Sequence, residues 1–184
     1  MKYLVFITLL MLGSGVNANE NMSLEEYCKF NPCRKNLKMT LKQKDGSLFE
    51  RTFTILPPVV QPTLISIFAG ETLYIEATEG EEGPTDFVQV KTIRNPERTL
   101  VFKFEQQKDV GDGKSMLLTV KNPFSKTLRY KLGMMPLDME KLVKTSSCPV
   151  AGGQSVFESW PYPIFQIVIG KIHFQKKDDD GSCK

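Results

Sequence analysis

The stretch LKMTLKQKDGSLFERTFTILPP, residues 37–58, decides the fold. Leu37, Met39 and Leu41 alternate with Lys38, Thr40 and Lys42. That period of two puts apolar side chains on one face of an extended chain and polar ones on the other. Asp45-Gly46 is the pair that a tight type I′ hairpin takes, because both central residues of that turn need φ > 0. The returning segment, Ser47 to Leu56, sets Phe49, Phe53 and Ile55 on one face, and Pro57-Pro58 ends it, since proline cannot donate to a ladder. A β-hairpin is expected here.

The same rhythm continues downstream. Thr63–Phe68 and Thr72–Thr78 flank the turn Ala69-Gly70-Glu71, and a polar loop covers Glu79 to Asp86. Phe87–Ile93 and Leu100–Gln106 flank Arg94-Asn95-Pro96-Glu97. Met116–Lys121 and Leu128–Met134 flank Asn122-Pro123-Phe124-Ser125, after a Gly-containing loop over Lys108–Lys114. Short strands separated by turn signals this close predict an all-β sandwich or barrel. Beyond Met135 the pattern loosens: Pro136–Lys144 has room for a helical turn, and Thr145–Ser155 is small, polar and Gly-rich. A last long strand is expected over Ile164–Phe174, with Gly170 marking a bulge or a close backbone approach.

Upstream of the hairpin, Ser23-Leu24-Glu25-Glu26 has the form of a capping box, with Met22 and Tyr27 placed as a hydrophobic staple. A helix of about two turns is expected, ending near Asn31 because Pro32 disfavours helical geometry before it. The first eighteen residues have the three parts of a cleavable secretory signal. These are Lys2, an apolar run from Leu4 to Leu12 broken by Thr8, and a small-residue region from Gly13 to Ala18. The apolar run is about nine residues, against the roughly 20 a membrane span needs. Cleavage is placed between Ala18 and Asn19, leaving residues 19–184 as one domain without a membrane segment. Within it, residues 19–36 form a helical, disulfide-bearing N-terminal segment and residues 136–184 a C-terminal extension packed on the sandwich.

The four cysteines, Cys28, Cys33, Cys148 and Cys183, all lie in this exported part. An even number in an oxidising compartment reads as two disulfides, and three pairings are open. Cys28–Cys33 with Cys148–Cys183 is preferred, because each bridge then staples a terminal segment. The compartment is accordingly the periplasm or the exterior. In a eukaryotic secretory route Asn21-Met22-Ser23 would be a glycosylation acceptor.

The charge balance, 24 basic against 21 acidic residues, gives no reason to expect nucleic acid as a partner, and the early cluster Lys29, Arg34, Lys35 and Lys38 reads as a solvated face. Catalytic candidates are few. His173 is the only histidine, and no Gly-x-Ser-x-Gly elbow accompanies it. Glu79, Glu81 and Glu82 sit in a polar loop, and Asp178-Asp179-Asp180-Gly181 lacks the alternating ligands of a calcium loop. Met116, Met134, Met135 and Met139 read as core filling rather than copper ligation. No catalytic residue, metal ligand or cofactor is assigned.

The unusual segment is Cys148–Phe165. It joins a disulfide cysteine, Gly152-Gly153, Glu158, the only tryptophan, and Pro161 and Pro163 around Tyr162. Rigid aromatics are favoured at partner surfaces, so Trp160, Tyr162 and Glu158 are the expected binding residues. Closure of one end of the core by Trp160 is the competing expectation.

Short strands, Asn-Pro turns and the strand Leu128-x-Tyr130-x-Leu132 resemble immunoglobulin-like sandwiches of the bacterial envelope over residues 37–135. The cysteines do not bracket a buried tryptophan as they do in antibody domains. Together these readings lead to a non-enzymatic β-sandwich that binds or stabilises another envelope or secreted macromolecule, a protein foremost. A small hydrolase using His173, or a metal-handling periplasmic protein, is the alternative.

Overall fold

The computed structural model describes residues 22–108 and 111–184. The expected leader, its cleavage point and Asn21 lie outside the described residues. Among the described residues one helical turn, α1 (Leu24–Tyr27), precedes twelve strands: β1 (Cys33–Lys42), β2 (Leu48–Pro58), β3 (Val60–Gln61), β4 (Leu64–Phe68), β5 (Thr72–Glu79), β6 (Pro84–Val90), β7 (Thr99–Gln106), β8 (Met116–Lys121), β9 (Leu128–Pro136), β10 (Val143–Thr145), β11 (Ser155–Trp160) and β12 (Ile164–Phe174). Two five-stranded sheets, ordered β10-β9-β12-β4-β3 and β11-β8-β7-β5-β6, pack face to face, while β1-β2 forms a separate hairpin. Every strand pair among the described residues is antiparallel. The chain is an all-β sandwich.

Alternation builds the core. Leu73, Ile75 and Ala77 of β5, Phe102 and Phe104 of β7, and Met116, Leu118 and Val120 of β8 point inward from one sheet. Ile65 and Ile67 of β4, Leu128, Leu132 and Met134 of β9, and Ile167 and Ile169 of β12 meet them from the other. Each fully buried side chain of this size contributes about 1.5–3 kcal/mol. β12 lies mid-sheet between β9 and β4, so the segment after Met135 is woven into the sandwich.

The hairpin lies against one end of the two sheets and buries Met39 and Leu41. Phe53 of β2 meets Phe165 of β12 edge-on, with ring centroids 5.4 Å apart. On the other side, the Gln106 amide of β7 accepts from Lys42 N–H at 2.7 Å and donates to the Lys42 carbonyl at 2.9 Å. This side chain stands in for one residue of a neighbouring strand and ties the hairpin to the second sheet.

Several expectations need local correction. The hairpin turn is not type I′: only Gly46 has positive φ, at +90°, and the bond from Gly46 N–H to Gln43 O puts Lys44 and Asp45 at the turn's centre. The capping box of α1 forms, with Ser23 and Glu26 bonding each other's amides at 3.0 and 3.2 Å. The helix, however, stops after one turn, because the Cys28–Cys33 bridge and the bends between them redirect the chain. Pro136–Lys144 holds a single hydrogen-bonded turn from Pro136 to Met139 and then β10. The largest departure is β11 over Ser155–Trp160, where a loop was expected.

Asp45, Asp112, Asp138 and Asp180 are held below the usual carboxylate range, chiefly by hydrogen bonds to Ser47, Lys114, Lys44 and Ser182 respectively. A carboxyl whose pKa is lower when folded adds stability above its unfolded value and loses it as pH falls through the folded value. All four are solvent-exposed, so each effect is small. The thermal midpoint, followed by circular dichroism, should therefore be flat from pH 7 to about 5 and decline only below about 4.

Candidate functional site

The segment singled out in the sequence proves to be the seam along one long side of the sandwich. There β10 and β11 are the edge strands of the two sheets. Trp160 is 7% exposed, stands edge-on to Phe104 with centroids 6.3 Å apart, and donates its indole N–H to Thr145 Oγ1 at 3.0 Å. Glu158 is also buried, and its carboxylate accepts the Cys148 N–H at 2.6 Å. Both side chains cross from β11 to the segment containing β10 and so pin the two sheets together. Replacing Thr145 by valine should leave the indole N–H buried without a partner and cost about 1–2 kcal/mol, read from urea unfolding.

Tyr162 is half-buried. Its hydroxyl donates weakly to Met134 Sδ at 3.8 Å, and Lys44 Nζ lies 5.6 Å from the ring centroid while bonding Asp138 at 2.7 Å. Of the three expected binding residues, Trp160 and Glu158 are thus turned inward, and Tyr162 presents part of its ring near the hairpin tip. The large apolar side chain of this segment that faces solvent is Phe157, 64% exposed on the outward side of β11. Sequence reasoning passed over it because the segment did not read as a strand.

Both expected disulfides are present, Cys28–Cys33 and Cys148–Cys183, and no described cysteine is free. The second bridge is embedded in a network. Ser147 and Lys184 exchange backbone hydrogen bonds at 2.8 and 2.9 Å, and Arg129 donates to the carbonyls of Asp180 and Ser182. Tyr130 Oη, near Glu158, is buried without a hydrogen-bond partner among the described residues. Burial, then the nearby Glu158 charge, pushes its phenol pKa up, which keeps the ring neutral.

Gly152-Gly153 is a close contact. A Cβ on Gly152 would stand 2.1 Å from the Ser125 carbonyl oxygen, while Gly153 has φ +70°. The buried Asn122 amide organises the same corner by donating to the carbonyls of Lys126 and Val150 and accepting from Phe124 N–H. Gly152→Ala should force these two loops apart and lower stability by about 1–3 kcal/mol in denaturant titration.

The His173 ring has one hydrogen-bond partner among the described residues: its Nδ1–H donates to the main-chain carbonyl of Lys171 at 2.7 Å. Among the described residues it makes no hydrogen bond to a serine or a carboxylate. Among the described residues no group of three or more His, Cys, Asp or Glu is placed to hold a metal ion. Among the same residues no helix is long and apolar enough to cross a membrane.

Two concave features stand out among the described residues. A polar cleft of about 500 Å³ runs between the hairpin and the ends of β5 and β7, walled by Thr40, Glu71, Thr72, Lys103, Glu105 and Gln106 among others. Lys103 and Glu105 pair across its wall at 2.8 Å. The second is an apolar slot of about 210 Å³ at the opposite long side from the seam, where β3, β4, β6 and β12 converge. What these features define is a disulfide-bridged, two-sheet sandwich closed along one side and open along the other. Comparison with known protein families, curated proteins and solved structures found no match to this chain.

Proposed function

We propose that this chain is a non-enzymatic periplasmic or secreted domain that binds or stabilises another envelope or secreted protein, using the outward face of β11. The observation that carries the reading is Phe157. It is a large aromatic left 64% exposed on an edge strand, between Ser155 and Ser159. Its neighbours across the ladder are Thr119 and, diagonally, the half-buried Leu117 of β8. An exposed aromatic costs little further ordering when its strand is already held, and here Trp160, Glu158 and the Cys148–Cys183 bridge hold it. The leader read from residues 1–18 and the two disulfides support an oxidising compartment.

Placing a photo-crosslinking amino acid at position 157 in the native host tests this reading. A discrete adduct that disappears when the crosslinker is moved to Val88, on the far edge of the same sheet, is the expected outcome. Absence of any adduct at 157, or equal adducts at both positions, would refute it.

A further inference from the structure

The two long sides of the sandwich differ. One is sealed by Trp160, Glu158 and a disulfide; the other keeps a slot between the sheets. Its walls are Leu64 and Ile65 of β4, Phe87 of β6, and Ile169 and Ile172 of β12. Gln61 of β3 and Pro62 and Thr63 of the β3–β4 connection form the rim, and Lys171 is the one charged residue that lines it.

Both strands that flank the slot are irregular beside it. The β12 ladder with β9 slips between Gly170 and His173, and the β5–β6 ladder slips between Glu76 and Thr78. Two of the three described non-glycine residues with positive φ, Asp86 and Lys171, both at +51°, lie on these strands. A non-glycine residue keeps such a conformation only where its surroundings fix it, and here the His173 ring holds the Lys171 carbonyl. Gly170 contributes by having no side chain: a Cβ there would meet the Thr63 carbonyl oxygen at 3.3 Å, at the slot's wall.

We propose that this slot binds a medium-chain alkyl carboxylate, with the chain between Phe87 and the β4–β12 isoleucines and the carboxylate at Lys171. Size sets the tail. An apolar cavity of about 150 Å³ is enough to take up benzene. At about 210 Å³ this one has room for a short alkyl chain but not for the two chains of a phospholipid. Charge sets the head. Lys171 is exposed, forms no ion pair among the described residues, and is the only ionic group on the lining. An anion at the rim satisfies it, whereas an alcohol of the same length does not. The proposal stands apart from the partner surface at Phe157, which lies on the opposite edge of its sheet.

Octanoate is the probe, added to the oxidised protein and followed by calorimetry and by methyl NMR. Saturable one-to-one binding is expected, with shifts at the methyls of Ile65, Ile169 and Ile172. Lys171→Glu should weaken it about fivefold, the scale of one partly screened ion pair. Gly170→Val should abolish it by filling the slot, and octanol should bind more weakly than octanoate. Vesicles of an anionic phospholipid should neither bind nor compete. Failure of octanoate to saturate, equal binding of octanol, shifts confined to the cleft beneath the hairpin, or displacement by the vesicles would each overturn the proposal. The methyl shifts locate the ligand in the unaltered protein, so the result does not depend on Gly170→Val folding.

Discussion

Replacing Arg34 by alanine is expected to destabilise the protein by about 3–5 kcal/mol, the cost of stranding one member of a buried ion pair. The Arg34 and Glu71 side chains are only 8% and 13% exposed and meet at 2.8 Å through Nε and Oε1. Every other arm of the guanidinium is also occupied. Nη1 donates to the Pro57 carbonyl at 2.8 Å and to Ser66 Oγ at 3.2 Å, Nη2 donates to the Ser66 carbonyl, and the group lies 4.9 Å from the Phe68 ring centroid. Glu71 in turn accepts the Phe68 N–H at 2.8 Å. One side chain thus joins β1, the end of β2, β4 and the turn before β5. Burial lowers the Arg34 pKa, and Glu71 opposes that shift, but a guanidinium keeps its charge at any working pH.

Alanine removes all of this at once and leaves the Glu71 carboxylate, only 13% exposed, without its cation. Lysine should rescue little, because a point charge cannot reproduce the planar fork. The informative comparison is the double variant Arg34→Met/Glu71→Leu. If the stranded carboxylate dominates, the double variant should be more stable in urea titration than Arg34→Ala alone. Should the two prove equally unstable, the bonds to Pro57 and Ser66 would account for the loss instead.

Arg34 also marks where the sequence stopped being readable. In a run with Lys29, Lys35 and Lys38 it looked like one more solvated charge, and those three lysines are indeed exposed. Nothing local distinguishes the buried one, because its partner is 37 residues away. The strands that alternate cleanly, such as Met116–Lys121 with its inward Met116, Leu118 and Val120, were legible because each inward position is apolar. β11 fails that test. Val156, Glu158 and Trp160 face inward while Ser155, Phe157 and Ser159 face out, so a buried carboxylate and an exposed aromatic invert the pattern at its centre. The two residues that hid the strand are the ones that matter to it: Glu158 caps the Cys148 amide, and Phe157 faces solvent. Trp160, the only tryptophan, reads equally as a rigid aromatic for a partner and as a plug for the core, and the structure uses it to close the seam. The bulge at Gly170 was readable because an isolated glycine in a strand has few other uses. That Lys171 rather than glycine takes the positive φ was not.

Removing the Cys148–Cys183 bridge as a serine pair should cost about 4 kcal/mol, against about 2 for the Cys28–Cys33 pair, because the longer loop frees more chain entropy in the unfolded state. The sequence separations, 35 and 5 residues, set that order. For a chain of this size the larger loss corresponds to a midpoint lowered by about 8–16 °C. The loop closed by Cys148–Cys183 contains β11 and β12, the edge of one sheet and the middle of the other. Without the bridge the tail is held by the Ser147–Lys184 backbone pair and by Arg129, which is 8% exposed and bonds only carbonyls there. Those bonds should break first, so the Lys184 amide should exchange with solvent faster than the β12 amides in the serine variant, and at a similar rate to them in the bridged protein. Hydrogen exchange resolves this residue by residue. A Cys28/Cys33 serine pair that proved the more damaging of the two would mean that the hairpin end, where Arg34 sits, is the less stable part of the fold, and that the seam holds without its sulfur link.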